Sequence, residues 1–263
     1  MHLVEPKVFL IAESKINEEE LHNYLNYVNA VTWKTDAPTD IEELVEVMGR
    51  SCYKSWIPLL NPNVTKIREG NKNHLENLIN VGHGSVLEHG WASFMLCDVS
   101  RIVTHELVRH RVGTAYSQES LRFLRLDDLG YWIPSCFKNN PKAVSIIKSA
   151  FQLAETHYKI LLSTETLGED IDKMPFSKKK ELTSAARRVA PIGLATNIGW
   201  SCNIRALRHI IEARTDPSAE EEIRLVFSKV AAIARQQWGN LFSDYEVEDF
   251  HDIPWYKTVH RKV

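Results

Sequence analysis

Cysteine is scarce in this 263-residue sequence: Cys52, Cys97, Cys136 and Cys202 stand far apart, with no C-x-x-C pair. That spacing excludes a disulfide scaffold and a structural zinc site, and it points to reduced thiols in a cytoplasmic protein. Excess charge is lacking too, since 32 basic against 34 acidic residues leave −2. No global field draws the chain to nucleic acid or to an anionic membrane, so any anion site is local. No apolar run approaches the roughly 18 residues of a membrane span, and the opening MHLVEPKVFLIAES carries acids where a secretory signal is basic. Repeats, low-complexity runs and Gly/Ser linkers are missing, so residues 1–263 read as a single domain. Neither common glycine-rich phosphate loop occurs, nor a G-x-S-x-G elbow. His105 and His110 are i and i+5, about 140° apart around a helix, whereas the two histidines of H-E-x-x-H face one metal from i and i+4. No metal is expected.

The chain does carry helical pattern with a few strand signals. Val8–Ala12 reads as a buried strand, and the leucine and tyrosine spacing from Asn17 to Tyr27 reads as a helix. Thr39 and Glu42 form a capping box for a helix through Met48, closed by Gly49. Asn61-Pro62-Asn63 is a turn; Leu75, Leu78 and Ile79 mark a helix closed by Gly82, and Trp91–Val99 alternates as a strand. Ser100 caps a helix expected to reach about Arg111, with Gly113 breaking it. Asn140-Pro141 starts the clearest helix, with Val144, Ile147, Phe151, Ala154, Tyr158 and Leu161 on one face. A helix from about Ser177 stops before Pro191, a short apolar segment spans 192–200, and Asn203–Arg214 is helical again. Asp216-Pro217 is expected to open the last long helix, to about Trp238. Helices outnumber strands, and the mixture is α+β.

Two segments choose arginine without lysine: residues 101, 109, 111, 122 and 125 between Ser100 and Arg125, and 187, 188, 205, 208 and 214 between Ala185 and Arg214. That choice favours planar, bidentate recognition of phosphate or carboxylate. Solvated faces and structural salt bridges account for such arginines equally well. Recognition of nucleic acid is disfavoured, because no basic run interleaves with aromatics.

Arg109-His110-Arg111, with Gln118, Ser120, Arg122 and Phe123 beyond it, resembles the R-H-R signature of the flavin-dependent thymidylate synthases. Further segments fall in that family's order. Arg50 with Cys52-Tyr53 is similar to its early A-R-x-C/S-Y element, and Gly82-His83-Gly84-Ser85-Val86-Leu87-Glu88-His89 to its G-H-x-S-x-x-E-H. Ala186-Arg187-Arg188-Val189-Ala190-Pro191 resembles A-R-x-x-L-P. Asn203-Ile204-Arg205-Ala206-Leu207, then Arg214 and Glu222-Ile223-Arg224, resemble its N-x-R-x-L helix, the arginine after that helix and the E-I-R element. The chain departs from the pattern in an eight-residue spacer before Ser120, in Glu106 where the family usually has glutamine, and in Ser218 where it usually has histidine.

The resemblance implies a homotetramer with a central twisted sheet and flanking helices. It implies reductive methylation of dUMP to dTMP, with FAD as cofactor and with methylenetetrahydrofolate and NADPH as co-substrates. By the same resemblance Ser85, Arg109, His110, Arg111, Asn203, Arg205 and His209 hold the flavin, and Glu106, Arg109, Gln118, Ser120, Arg122, Arg187 and Arg214 surround the nucleotide. Ser120 and Arg214 take the catalytic roles; a cation at Arg214 favours the ionised uracil and so raises the nucleophilicity of C5. Two other readings stand beside this one. The first is a flavin- and folate-dependent methylase of UMP or a related pyrimidine nucleotide, suggested by Glu106. The second is a non-catalytic nucleotide- or nucleic-acid-binding protein, which explains the arginines but not the ordered motifs.

Overall fold

The computed structural model describes residues 1–128 and 130–263, and it mixes helices and strands as an α+β chain does. One sheet has four strands in the order Lys7–Glu13, Trp91–Ser100, Ala195–Asn203, Thr114–Gln118. The two inner strands bury alternate residues, Ala92, Phe94 and Leu96 in one and Thr196, Ile198, Trp200 and Cys202 in the other. This is the period-2 pattern of a sheet with one face on the core. The strand at Lys7–Glu13 is present but not buried, a correction to the sequence reading: Phe9 is 50% and Ile11 63% exposed. It lies at the sheet edge with a single strand neighbour, so its apolar run gains little cover.

The chain divides into two compact units. One comprises Met1–Lys7, Met95–Arg109 and Tyr116–Gly199. Its core gathers Tyr131, Ile133, Phe151, Tyr158, Leu162, Met174 and Leu194. The helix Pro141–Leu161 supplies Phe151 and Tyr158 to that core and starts at Asn140, whose side chain accepts from Lys142 and Ala143 N–H. Leu161 itself is exposed and Leu162, one residue on, is buried in its place. The other unit comprises Val8–Phe94, His110–Ala115 and Trp200–Val263. Its aromatic centre stacks Phe94 on Trp200 at 5.6 Å, with Phe227 and Trp238 edge-on. A smaller cluster sets Trp33 against Trp56 at 5.0 Å.

Several element ends differ from the sequence reading, each for a local reason. The Thr39-capped helix continues through Gly49 to Tyr53 and stops at left-handed Lys54, φ 50°. Gly49 is needed for close approach, because a Cβ there would lie 2.9 Å from His74 Nε2 and from Leu78 Cδ1. The Ser100-capped helix ends at Leu107, not near Arg111. Val108 N–H closes the final turn on Thr104, and the His110 carbonyl accepts from Thr114 Oγ1 at 2.6 Å instead of continuing a helix. Asp216-Pro217 makes a turn in which Ser218 N–H and Oγ both donate to Asp216 Oδ1. The last long helix is Glu221–Gln237, with the Glu220 carboxylate capping Glu222 and Ile223 N–H. Two features carry no clear local signal in the sequence: the strand Thr114–Gln118 and the hairpin Glu246–Phe250 with Ile253–Lys257, whose turn holds His251 and Asp252 at φ 55° and 60°.

Candidate active site

In the second unit Asn203, Arg205, His209 and His110, four of the residues that the resemblance assigns to the flavin, are fixed by short contacts. Asn203 caps the helix Ile204–Thr215 by accepting from Ala206 N–H at 2.8 Å, and its own N–H donates to the Gly113 carbonyl at 2.9 Å. The chain leaving Arg109-His110-Arg111 is thereby fixed to the start of that helix. Gly113 has φ +67°, and a Cβ on it would lie 2.4 Å from Asn203 Nδ2, so only glycine fits. On the same helix Arg205 donates to Glu88 Oε1 at 2.6 Å and to the Lys262 carbonyl at 3.0 Å. Gly84 packs on the Arg205 guanidinium, where a Cβ would approach Nε to 2.8 Å, and Ser85 is the next residue in the short helix Gly84–Glu88. The next turns of the long helix bring His209 and Arg214 to His110. The two imidazoles stand edge-on at 5.8 Å, and Arg214 Nε donates to His110 Nε2 at 2.8 Å.

That last bond assigns the His110 tautomer, because an imidazole nitrogen that accepts a hydrogen bond carries no proton. Burial, then the charges of Arg214 and His209, push its pKa down to about 4. His110 is therefore neutral at physiological pH, a fixed acceptor for Arg214 and a donor through Nδ1. Arg111 lies exposed beside it.

The nucleotide-side residues of the first unit form their own group. Gln118 Nε2 donates to Thr104 Oγ1 at 3.2 Å, which holds the end of the strand Thr114–Gln118 on the helix that carries Glu106. Ser120 Oγ accepts from Arg122 N–H at 3.3 Å, and the Arg122 carbonyl accepts from Thr183 Oγ1 at 3.1 Å. The turn at 120–123 is thus tied to the helix Phe176–Ala186 that leads into Arg187. The guanidiniums of Arg109, Arg122 and Arg187 are exposed. Because the helix ends at Leu107, Arg109 is not on the helical turn above Glu106.

Sequence reasoning passes over Arg101 as a site residue. It is half-buried, donates Nη2 to the Glu119 carbonyl at 3.1 Å, and keeps a buried Nε without a partner. Burial and then the neighbouring Arg187 charge lower its pKa, and the Glu119 carboxylate offsets them only in part. The Glu119 carboxylate is turned away, accepting from Asn197 N–H at 2.9 Å and Nδ2 at 2.8 Å. The lysine-free run holds the signal, but no motif residue points to this arginine.

Two other arginines of the runs are engaged within the fold. Arg208 has no exposed surface and makes a bidentate pair with Asp244 at 2.8 and 2.7 Å, and Arg125 pairs with Asp172 at 2.8 Å. Beyond the runs, Arg50 is buried on Glu46 and on the Ser55 and Arg68 carbonyls, and Arg224 on the carbonyls of Thr215, Phe250 and Ile253.

Comparison with known proteins agrees with the motifs. Residues 35–238 match the family model described as "Thymidylate synthase complementing protein". The flavin-dependent thymidylate synthase of Mycobacteroides abscessus is 35% identical over 228 residues, covering 84% of this chain and 86% of that protein. The enzyme of the same name from Corynebacterium diphtheriae is 32% identical over 225 residues, covering 85% and 87%. Among solved structures, the UMP/dUMP methylase PolB of Streptomyces cacaoi bound with 5-Br dUMP has TM-score 0.62 at 16% identity, covering 92% of this chain and 95% of that one. That likeness is one of fold.

Proposed function

Because the chain belongs to the thymidylate synthase complementing protein family, we propose that it is a flavin-dependent thymidylate synthase, converting dUMP to dTMP with FAD, methylenetetrahydrofolate and NADPH. The observation that carries this reading is the pair of arginine groups at motif positions, one built around Asn203, Arg205, His209, His110 and Arg214 and one around Gln118, Ser120, Arg122 and Arg187, which Arg101 adjoins from outside the motifs. Their donor chemistry suits FAD with its two phosphates and a nucleoside monophosphate with one, since guanidinium binds phosphate in planar, charge-assisted fashion.

In this proposal Ser85, Arg109, His110, Arg111, Asn203, Arg205 and His209 hold the flavin, which when bound supplies the hydride of the reductive step. Glu106, Arg109, Gln118, Ser120, Arg122, Arg187 and Arg214 position the nucleotide, and Arg101 joins them through its unpartnered Nε. Arg214 stabilises the ionised uracil; His110, neutral and accepting its Nε–H, fixes the direction of that guanidinium. No cysteine is assigned a role: Cys202 is fully buried with its thiol pKa pushed well up by desolvation. Homotetramer assembly, a cytoplasmic location and the single-domain reading belong to the same proposal. The four free thiols agree with a reducing compartment, and the family match over 35–238 runs through segments of both units.

The purified protein is expected to be yellow and to form dTMP from dUMP only when folate and NADPH are both supplied. Flavin-free protein that takes up no added FAD and methylates nothing overturns the reading. UMP belongs in the same assay, because Glu106 stands where the family usually has an amide and PolB carries 5-Br UMP as well as 5-Br dUMP in its structures.

A further inference from the structure

A cavity of about 490 Å³ is lined by Arg50, Tyr53, Lys66, Arg68, His74 and His83 among others. Its size falls within the roughly 300–1,000 Å³ of small-molecule sites. The charged side chains in its wall are all cations. Arg50, Lys66 and Arg68 line it, and no aspartate or glutamate does. Arg50 is spent on internal bonds, donating to Glu46 and to the carbonyls of Ser55 and Arg68. It thereby anchors the backbone at Arg68. No hydrogen bond or ion pair among the described residues engages Lys66 Nζ or the Arg68 guanidinium. The field in the cavity is felt by His74, whose pKa falls to about 3 through burial and then through the charges of Arg50 and Arg68. Two exposed cations without a partner in the fold, over a cavity with no carboxylate in its wall, suit an anion, although Arg68 also borders a neighbouring hollow lined by Glu69 and Glu76.

The position narrows the anion. His83 lines the cavity and stacks on Tyr53 at 5.7 Å and 18°, and it stands two residues before Ser85, assigned to the flavin. On the proposed flavin assignment of Ser85, a ligand in this cavity has its His83 end on the flavin side and its other end among Lys66 and Arg68. Methylenetetrahydrofolate has that polarity: the reacting carbon is on the ring end, and the aminobenzoyl-glutamate end carries the carboxylates. Resting on the function proposed above, we propose that this cavity receives the glutamyl end of the folate, with Arg68 and Lys66 as the carboxylate-binding residues. NADPH is the other anionic substrate, and its phosphates are the competing source of the same chemistry.

The test compares the holoenzyme with the variant Lys66→Ala/Arg68→Ala, in methylation kinetics and in calorimetric titration with tetrahydropteroyl mono- and triglutamate. The side chains removed have no partner in the fold, and the Arg68 carbonyl that Arg50 uses is retained, so melting and flavin content should not move. Two exposed charge pairs of this kind together give roughly two- to thirtyfold in affinity. The parent should bind the triglutamate at least twofold tighter than the monoglutamate. The double variant should lose that preference and bind both more weakly, with the KM values for dUMP and NADPH unchanged. Equal glutamate preference in parent and variant overturns the proposal. So does an effect confined to the KM for NADPH. If the parent forms no dTMP at all, the functional reading fails instead, and the calorimetric arm still reports on the cavity.

Discussion

In the proposed site, Arg214 links the residues assigned to the flavin with those assigned to the nucleotide. Its Nε–H is committed to His110, so a change at Arg214 reaches a flavin-side residue as well as the base. In Arg214→Ala the charge that helps depress His110 is gone, and the His110 pKa, measured by NMR, should rise from about 4 toward the ordinary histidine value. Loss of one charge-assisted bond to the ionised base should lower turnover roughly 10- to 150-fold. A residue serving only the helix C-terminal dipole would cost about 0.3–1 kcal/mol of stability and leave turnover per folded molecule unchanged. Near-normal turnover would therefore remove Arg214 from the site. His74 makes a second residue-scale case. Its buried Nε2 has no partner and its pKa is lowered to about 3. The folded form thus resists protonation where the unfolded chain accepts it, so stability is full above pH 6.5 and falls as pH drops toward 3. At pH 5 the deficit from this one group is about 2 kcal/mol. Urea midpoints at about pH 7.5 and 5 should separate less in His74→Gln than in the parent; an equal separation would show that His74 does not carry the acid sensitivity.

At the scale of elements, the site depends on how a turn is fastened to a helix start. Gly113 sits at positive φ against the Asn203 side chain that caps Ile204–Thr215. Gly113→Ala should cost about 2–4 kcal/mol, from strained backbone and from overpacking against a buried cap. Its flavin uptake should fall with it, since Arg111, His110, Asn203 and Arg205 all flank that junction. Denaturation curves and bound-flavin absorbance check both effects; a variant with parental stability would mean that Asn203 gives way without loss. The short helix Arg101–Leu107 makes the same point, because its early end leaves Arg109-His110-Arg111 outside regular structure, where side chains can point to a ligand.

For the whole molecule, the proposed chemistry needs no thiol. Cys52 and Cys136 are exposed, Cys97 is half-buried with its pKa raised by desolvation, and Cys202 is fully buried. A variant with Cys52, Cys97 and Cys136 changed to serine and Cys202 to alanine should keep turnover within about twofold, with about 1 kcal/mol lost at the buried position. Loss of turnover in a variant that still melts normally and holds flavin would place a cysteine in the mechanism. Light scattering on the same preparation tests the proposed tetramer.

Local signals in the chain were enough for the helix Glu18–Tyr27 from its leucine and tyrosine spacing, for the helices that Thr39 and Asn140 start, and for the strand Trp91–Ser100. They were also enough for the ordered motifs that identify the family. Which arginines serve the fold emerged only from packing. Arg208 and Arg205 lie three residues apart on one helix; one is sealed on Asp244 and the other faces Glu88 and the Gly84 backbone, a difference set by which helix face meets the core. Gly49 as a packing position rather than a stop, the edge exposure of Phe9 and Ile11, the hairpin at Glu246–Lys257 and the orphaned Nε of Arg101 were equally beyond local reading. Each depends on what packs from a distant part of the chain, and burial, strand neighbours and unmet hydrogen bonds exist only once those partners are in place.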